Sequence, residues 1–337
     1  MIDSAEIGNR IRRIQGRIRD TVVDHIATVE TQTLSEVSAE TAGDTIYAVD
    51  RVTEAALVEL FESELGGDVS FVLIGEGLPE AGAVFPSGTS EEGADLRIIV
   101  DPVDGTRGLM YDKRSAWVLT GVARNRGPQT NLQDIFFAAQ TEIPTTKQYL
   151  SDVVWAMKGG GAHTLRYDRL KEEAHSLSLQ PSRATTLTHG FGMISRFFQG
   201  GKDILAKVEE DIAQAVVGPI EPGRARLFED QYICSGGQFY ELMAGHDRFN
   251  ADLRPCLEAT LADRGQKLGI CCHPYDVCTE LIGREMGVII TGADGRDLDA
   301  PLDLTTPVAW VGYANQMLKE LVEPHLRAAM RRHHLMK

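Results

Sequence analysis

A buried-strand pattern that runs straight into two acids constrains this chain more than any other feature. The apolar run Leu96–Val100 is typical of a strand that is covered on both faces. It is followed by Asp101-Pro102-Val103-Asp104-Gly105-Thr106. Carboxylates at Asp101 and Asp104, at the end of a buried strand, would repel each other strongly unless a cation lies between them. The backbone amides of Gly105 and Thr106 would form a site for an anion if a helix begins there.

The same six residues have a competing interpretation as a surface turn. Asp, Pro and Gly are common turn residues, and Pro102 is expected to turn the chain after Asp101. An EF-hand calcium loop is excluded because the acids do not follow the spacing of such a loop. The segment therefore predicts either a solvent-exposed turn or a site that holds cations on carboxylates and an anion on amides.

Hydrophobic periodicity predicts two helices and then a sheet in the first half of the chain. Apolar residues at steps of three and four, from Ile7 to Ile26, indicate an amphipathic N-terminal helix, and a second helix is predicted over Val49–Leu65. Apolar runs then predict strands at Phe71–Ile74, Leu96–Val100, Ala116–Ala123, Ile135–Gln140 and Val153–Met157. The polar stretch Tyr167–Arg183 lacks a strand pattern, and we expect a domain boundary there, between residues 1–180 and 181–337.

The second half alternates strands and helices, which is the pattern of an α/β layer. Strands are expected at Thr186–Ile194, Gln231–Cys234 and Val288–Thr291. Helices are expected at Lys202–Ala215, Gln238–Ala244 and Asp276–Met286.

Composition excludes several classes of protein. The 337 residues carry a formal net charge of −15, which opposes the basic footprint that nucleic-acid binding requires. No apolar run approaches the roughly 20 residues that span a bilayer, so no membrane association is expected. The first residues lack the pattern of a secretory signal, which predicts a cytoplasmic location. The five cysteines are then expected to be reduced thiols rather than a disulfide framework.

Further acids fall at predicted strand ends and helix starts. Glu76 follows the strand Phe71–Ile74, Asp44 and Asp50 flank the start of the second helix, and Asp276 begins an apolar helix. Each one alone is as readily explained as a helix cap or a solvated acid. Together they predict a cluster of carboxylates if the fold brings these ends to one place.

The order of these acids resembles that of the inositol monophosphatase superfamily, the lithium-sensitive magnesium-dependent phosphatases. The six residues from Asp101 to Thr106 are similar to the family's D-P-[IL]-D-G-[TS] signature. The segment from Asp44 to Asp50 resembles D-x-V-T-x-x-D, Gly75-Glu76-Gly77 stands where the family has G-E-E, and Tyr275-Asp276 stands where it has W-D. Gly77 and Tyr275 depart from the family pattern.

The resemblance implies a role for each matched residue. Glu76, Asp101 and the Val103 carbonyl would hold a first metal ion, and Asp101, Asp104 and Asp276 a second one. Gly105 and Thr106 would bind phosphate through their amides. Asp50 and the Thr106 hydroxyl would orient and deprotonate the attacking water. The implied cofactor is Mg²⁺, as two or three ions, with Mn²⁺ as an alternative.

The resemblance also implies a layered αβαβα sandwich, a small phosphorylated substrate, lithium inhibition and a homodimer. Inositol monophosphate or a related sugar or polyol phosphate is the expected substrate. Arg107 leaves a second substrate open, because Asp104-Gly105-Thr106-Arg107-Gly108 resembles the D-G-T-K-G of 3'-phosphoadenosine 5'-phosphate phosphatases. Ser195 and Arg196 are candidate substrate contacts or the start of a solvated helix. A catalytically inactive metal-binding relative is the alternative of a different class.

Overall fold

The computed structural model describes residues 3–35, 37–40 and 45–336, with side chains described except at 31–32, 37–40 and 45–56. Its α-helices are α1 (Ser4–Thr28), α2 (Thr31–Leu34), α3 (Ala48–Leu65), α4 (Thr106–Leu109), α5 (Lys202–Val216), α6 (Ser235–Met243), α7 (Glu258–Asp263), α8 (Pro274–Val277), α9 (Glu280–Met286) and α10 (Gln316–Arg332). No helix in these ranges is long and apolar enough to span a bilayer.

The strands form one short ribbon and two sheets. Those of the ribbon and of the larger sheet are β1 (Val37–Glu40), β2 (Thr45–Tyr47), β3 (Phe71–Gly75), β4 (Ala83–Phe85), β5 (Leu96–Asp104), β6 (Ala116–Arg124), β7 (Ile135–Ile143), β8 (Leu150–Met157), β9 (Ala162–Asp168) and β10 (Glu173–Ser176). Those of the smaller sheet are β11 (Gly190–Ile194), β12 (Leu227–Phe228), β13 (Asp247–Asp252), β14 (Ile289–Gly292) and β15 (Trp310–Tyr313).

The eight strands of the larger sheet lie in the order β10-β9-β8-β7-β6-β5-β3-β4. Neighbouring strands are antiparallel except for the parallel pair β3 and β5. The five strands of the smaller sheet lie in the order β12-β11-β13-β15-β14. The parallel pair matters for the site, because it brings the carboxyl ends of β3 and β5 to the same edge.

Two hydrophobic cores define the layers. One core joins α1 and α3 to one face of the larger sheet. The other core joins the opposite face of that sheet to α6 and α9, to the smaller sheet, and to α5 and α10 beyond it. The expected αβαβα sandwich is therefore confirmed.

The N-terminal helix shows how the sequence pattern becomes packing. Its isoleucine stripe is buried against the larger sheet, together with the polar side chain of Gln15. Gln15 donates to Thr120 Oγ1 and to the Ala139 carbonyl, both at 2.9 Å, and accepts from Thr141 Oγ1 at 2.8 Å. These bonds offset the cost of burying an amide in the core.

Several sequence-based expectations about secondary structure were wrong. The stretch Tyr167–Arg183, expected to lack strands, contains the end of β9 and all of β10. The expected strand Gln231–Cys234 is irregular and leads into α6, and the expected helix Asp276–Met286 falls into two helices, α8 and α9. In the first case a polar sequence was taken to exclude a strand. Strand β10 is polar because it is an exposed edge strand with no apolar face to bury.

Candidate active site

A β-bulge near the end of β5 sets the direction of its two acids. Asp101 pairs with Leu119 of β6 and Asp104 pairs with Trp117, so β5 has one residue more than β6 between these pairs. The extra residue shifts the alternation of side chains along the strand. The chain therefore does not turn directly after Asp101, as Pro102 had suggested, but continues as a strand to Asp104.

Within the described side chains, three carboxylates converge next to this bulge. Asp101, Asp104 and Asp276 each offer an oxygen, and these oxygens all lie within 4.8 Å of one another. Asp101 and Asp104 are almost completely buried, with exposures of 1% and 6%. Three anions this close in a buried setting repel one another unless cations neutralise them. All-oxygen ligation fits Mg²⁺ or Mn²⁺ better than a metal that prefers sulfur or imidazole.

These acids lie in a pocket, here called the acidic pocket, that also contains other matched residues. It is lined by Glu76, Asp101, Val103, Asp104, Gly105, Thr106, Arg107, Phe197, Phe198, Ile233, Cys234, Ser235, Arg254, Ile270, Cys271, Tyr275 and Asp276. Glu76 follows β3 and belongs to this lining, although it is not in the group of three oxygens within 4.8 Å. The structure thus brings residues from β3, β5 and α8 to one pocket.

The N-terminus of α6 holds Asp104 in place. Oδ1 of Asp104 accepts the backbone N–H of Ser235 at 3.3 Å, and Oδ2 accepts that of Gly236 at 2.6 Å. Cys234 donates its thiol to the Asp104 carbonyl at 3.1 Å. Burial raises the pKa of Asp104 to about 6, while the α6 hydrogen bonds and the charge of Arg254 act in the opposite direction.

Asp276 is positioned by the start of α8. Its Oδ2 accepts the backbone N–H of His273 at 2.6 Å, and His273 and Tyr275 stack with their ring centroids 5.4 Å apart. Tyr275 is thus a packed aromatic residue beside Asp276. His273 thus contacts both residues that follow it in the matched motif, Tyr275 through its ring and Asp276 through its backbone N–H.

The turn after β5 contains the residues expected to bind phosphate. Gly105 has φ of 100°, a left-handed conformation that glycine adopts without strain, and α4 begins at Thr106. The Thr106 hydroxyl donates to the Val103 carbonyl at 2.9 Å. The second lone pair of that carbonyl leaves room for a cation as a further partner.

The two other substrate candidates lie elsewhere. Ser195 is fully buried, and its hydroxyl donates to Gln238 at 3.3 Å. Arg196 forms ion pairs with Glu209, at 3.0 Å, and with Glu229, and it borders a separate surface pocket. Both residues are close in sequence to Phe197, which lines the acidic pocket. Their own side chains, just after the end of β11, point away from that pocket.

Two residues of the predicted site fall outside what the structure describes. Asp50 lies in α3, but its side chain is outside the described side chains, and Asp44 lies outside the described residues. The role assigned to Asp50 stays a prediction.

Apart from Tyr275 and Asp276, sequence reasoning missed the residues that the second half of the chain contributes to the pocket. Phe197, Phe198, Arg254 and Cys271 line it without belonging to any motif. The expected helix Gln238–Ala244 corresponds to α6, which begins three residues earlier, at Ser235, and nothing local indicated that the amides of Ser235 and Gly236 bind Asp104. These positions share no spacing rule because they meet only through tertiary packing.

The thiols near the site favour their neutral form. Burial, followed by nearby carboxylates, raises the pKa of Cys234, Cys272 and Cys278 well above the ordinary value for a thiol. All five cysteines are free.

Comparison with known proteins gives a clear result for the fold. No family model matches the sequence, and no curated protein matches it. Among solved structures, the fructose-1,6-bisphosphatase of Leishmania major superposes with a TM-score of 0.65 at 16% identity, covering 97% of this chain and 93% of that one. The IMPase of Thermotoga maritima has a TM-score of 0.61 at 14% identity, with 95% and 96% covered.

SuhB of Mycobacterium tuberculosis has a TM-score of 0.61 at 14% identity, with both chains covered completely. Identities this low establish the architecture only. The chain has the fold of the inositol monophosphatase and fructose-1,6-bisphosphatase structures over nearly its whole length.

Proposed function

We propose that this protein is a Mg²⁺-dependent phosphatase that hydrolyses a small phosphate monoester. The observation that carries the proposal is the convergence of Asp101, Asp104 and Asp276, delivered by β5 and α8, in the pocket that contains the Gly105–Thr106 turn. A structural turn would have no reason to bring three acids, two of them buried, within reach of one cation. The fold shared with known phosphatases supports the same conclusion.

The residues divide the work of hydrolysis. Asp101, Asp104 and Asp276 would hold one Mg²⁺, and Glu76, Asp101 and the Val103 carbonyl another. Bound Mg²⁺ would neutralise the phosphate oxygens and lower the pKa of the attacking water. The amides of Gly105 and Thr106 would orient the phosphate, and Asp50 with the Thr106 hydroxyl would align the water and take up its proton.

Inositol monophosphate or a related sugar or polyol phosphate is the proposed substrate. A nucleotide substrate, 3'-phosphoadenosine 5'-phosphate, is the second candidate. It is favoured by the side chain of Arg107, whose guanidinium lies 5.0 Å from the ring centroid of Phe198 in the same pocket. The aromatic ring suits the nucleobase of such a substrate, and the cation suits its phosphate groups.

Phosphate release from a panel of inositol, sugar and nucleotide phosphates, with Mg²⁺ and with EDTA, tests the proposal. Hydrolysis should require Mg²⁺ and should be lost in Asp101→Asn, whereas the exposed control Asp263→Asn should retain it. Turnover that is equal in Asp101→Asn and wild type would contradict the proposal. A protein that binds no divalent cation and hydrolyses none of the panel would instead be the inactive relative.

We further propose inhibition by Li⁺ and assembly as a homodimer, which the family resemblance implies. A Li⁺ dose series on the Mg²⁺-dependent activity tests the first. Light scattering during size exclusion tests the second. The division into domains 1–180 and 181–337 is also a proposal, which limited proteolysis between β10 and β11 would test.

A further inference from the structure

Arg254 is an almost completely buried cation in the wall of the acidic pocket. It follows β13 and begins a short 3₁₀ helix, Arg254–Leu257, and only 8% of its surface is exposed. Nε donates to both carboxylate oxygens of Asp252, at 2.9 and 3.0 Å, and Nη2 donates to Oδ2. Nη1 donates to the Ile270 carbonyl at 3.1 Å. The guanidinium is therefore fixed in orientation before any ligand binds.

Two aromatic rings complete its surroundings. The guanidinium carbon lies 4.6 Å from the ring centroid of Phe197 and 5.2 Å from that of Phe198. The two rings meet edge to face at 4.8 Å. The ring of Phe198 also contacts the guanidinium of Arg107, so two cations from distant parts of the chain flank one ring. This arrangement combines apolar surface with positive charge in a single wall.

The hydrogen bonds of Arg254 leave part of its donor capacity unused. A guanidinium has five N–H groups. The hydrogen bonds to Asp252 use the N–H of Nε and one N–H of Nη2, and the bond to the Ile270 carbonyl uses one N–H of Nη1. Among the described residues, no acceptor takes the remaining N–H on each of Nη1 and Nη2. A buried pair of donors in a pocket that must admit an anion is suited to carboxylate or phosphate oxygens.

The scissile phosphate has other partners in the proposed function, namely the cations on Asp101 and Asp104 and the turn at Gly105. Arg254 lies on a different element and is set among aromatic rings, which suit the carbon skeleton of a leaving group. We propose that Arg254 is a specificity-determining residue that binds a second anionic group on the substrate's leaving alcohol. This inference rests on the proposed phosphatase function, and it predicts that sugar phosphates without a second anionic group are the poorer substrates.

Two matched substrate pairs test the inference with Mg²⁺-loaded enzyme. Fructose 1,6-bisphosphate is compared with fructose 1-phosphate, and 6-phosphogluconate with glucitol 6-phosphate. In Arg254→Met, kcat/KM should fall about 10- to 100-fold on the doubly anionic member of at least one pair and less than about threefold on its partner. The pair that shows the difference identifies a phosphate or a carboxylate as the second anion. Equal losses within both pairs would overturn the inference, because Arg254 would then serve the scissile phosphate or the fold.

Folding needs separate control, because Arg254→Met leaves the buried Asp252 without its cation. The double variant Asp252→Asn/Arg254→Met removes that unpaired charge. It should show the same selective fall in kcat/KM on the doubly anionic member of the substrate pair. Arg254→Lys keeps the charge without the planar fork and should lose less. Arg264→Met, which removes a surface arginine paired with Asp203, should behave as wild type.

The inference can fail separately from the proposed function. If wild type hydrolyses none of the four compounds, the phosphatase proposal fails for them, and calorimetric binding of the same four in Mg²⁺ decides the role of Arg254. Tighter binding of a doubly anionic compound that is lost in Arg254→Met would support it. Equal binding by both proteins, or no binding by wild type, would overturn it.

Discussion

The backbone N–H of Gly236 donates a 2.6 Å hydrogen bond to Oδ2 of Asp104, joining the start of α6 to the last residue of β5. The contact fixes a carboxylate of the acidic pocket from a helix that lies more than a hundred residues further along the chain. It also places the partial positive charge of the α6 N-terminus against that carboxylate. The position of Asp104 thus depends on how the two halves of the protein pack.

Gly236→Ala is predicted to displace Asp104. A Cβ at this position would lie 3.1 Å from Asp104 Oδ2 and 2.5 Å from Leu119 Cδ2, so both must move. We expect Mg²⁺-dependent activity to fall at least about tenfold and stability to fall by about 1–3 kcal/mol. Phosphate release and urea unfolding measure these effects. Gly67→Ala is the matched control, because a Cβ there would meet no atom within 4 Å. Full activity in Gly236→Ala would show that Asp104 tolerates the shift.

Mg²⁺ is predicted to stabilise the folded protein by binding to the clustered carboxylates. At about 100 times its Kd, a ligand that binds only the folded state adds about 2.7 kcal/mol. The melting temperature should therefore rise with Mg²⁺ and return to its original value with EDTA. In Asp101→Asn this rise should be much smaller, while the metal-free variant should melt no lower than wild type, because one of three repelling charges is gone. If Mg²⁺ raised the melting temperature of Asp101→Asn as much as that of wild type, the stabilising cation would bind at a site other than the clustered carboxylates.

Glu280 is predicted to make stability fall as pH rises. Its side chain is 1% exposed, and burial raises its pKa from 4.5 to about 7 despite Arg284 at 2.7 Å. The folded state therefore binds this proton more tightly than the unfolded state does. The stabilisation is complete below about pH 4.5 and is lost as pH rises through about 7.

Urea unfolding of Glu280→Gln at several pH values measures this effect. Relative to wild type, the variant should gain up to about 3 kcal/mol between acidic and mildly alkaline pH. The exposed control Glu92→Gln should follow the wild-type pH dependence. Parallel curves for wild type and Glu280→Gln would mean that folding does not shift the pKa of Glu280.

Ile14→Ala is predicted to destabilise the protein without changing its chemistry. Ile14 is fully buried between α1 and the larger sheet, and its truncation would leave a cavity. The expected loss is between about 2 and 5 kcal/mol by urea unfolding. Arg17→Ala, on the same helix with its side chain 59% exposed, should change stability by less than about 0.5 kcal/mol. Similar losses in the two variants would show that the isoleucine stripe is not the stabilising face.

Local patterns were sufficient to predict much of the architecture. The spacing from Ile7 to Ile26 predicted α1, and the apolar runs predicted the central strands of the larger sheet, because burial on a helix or strand face imposes its own period. Edge strand β10 escaped prediction because its residues are exposed and need no such period. Strand β13 and helix α10 were also not predicted.

Some features of the site also followed from local sequence, whereas others did not. The sequence by itself determined that β5 ends in two acids beside a glycine turn, since those residues are chain neighbours. Only the tertiary structure decided that Asp276 meets Asp101, that α6 holds Asp104, and that Arg254 lines the pocket while Arg196 does not. These relations depend on packing between elements that are distant in sequence. Each such element contributes only one or two residues to the pocket wall, so the sequence contains no periodic pattern that would predict them.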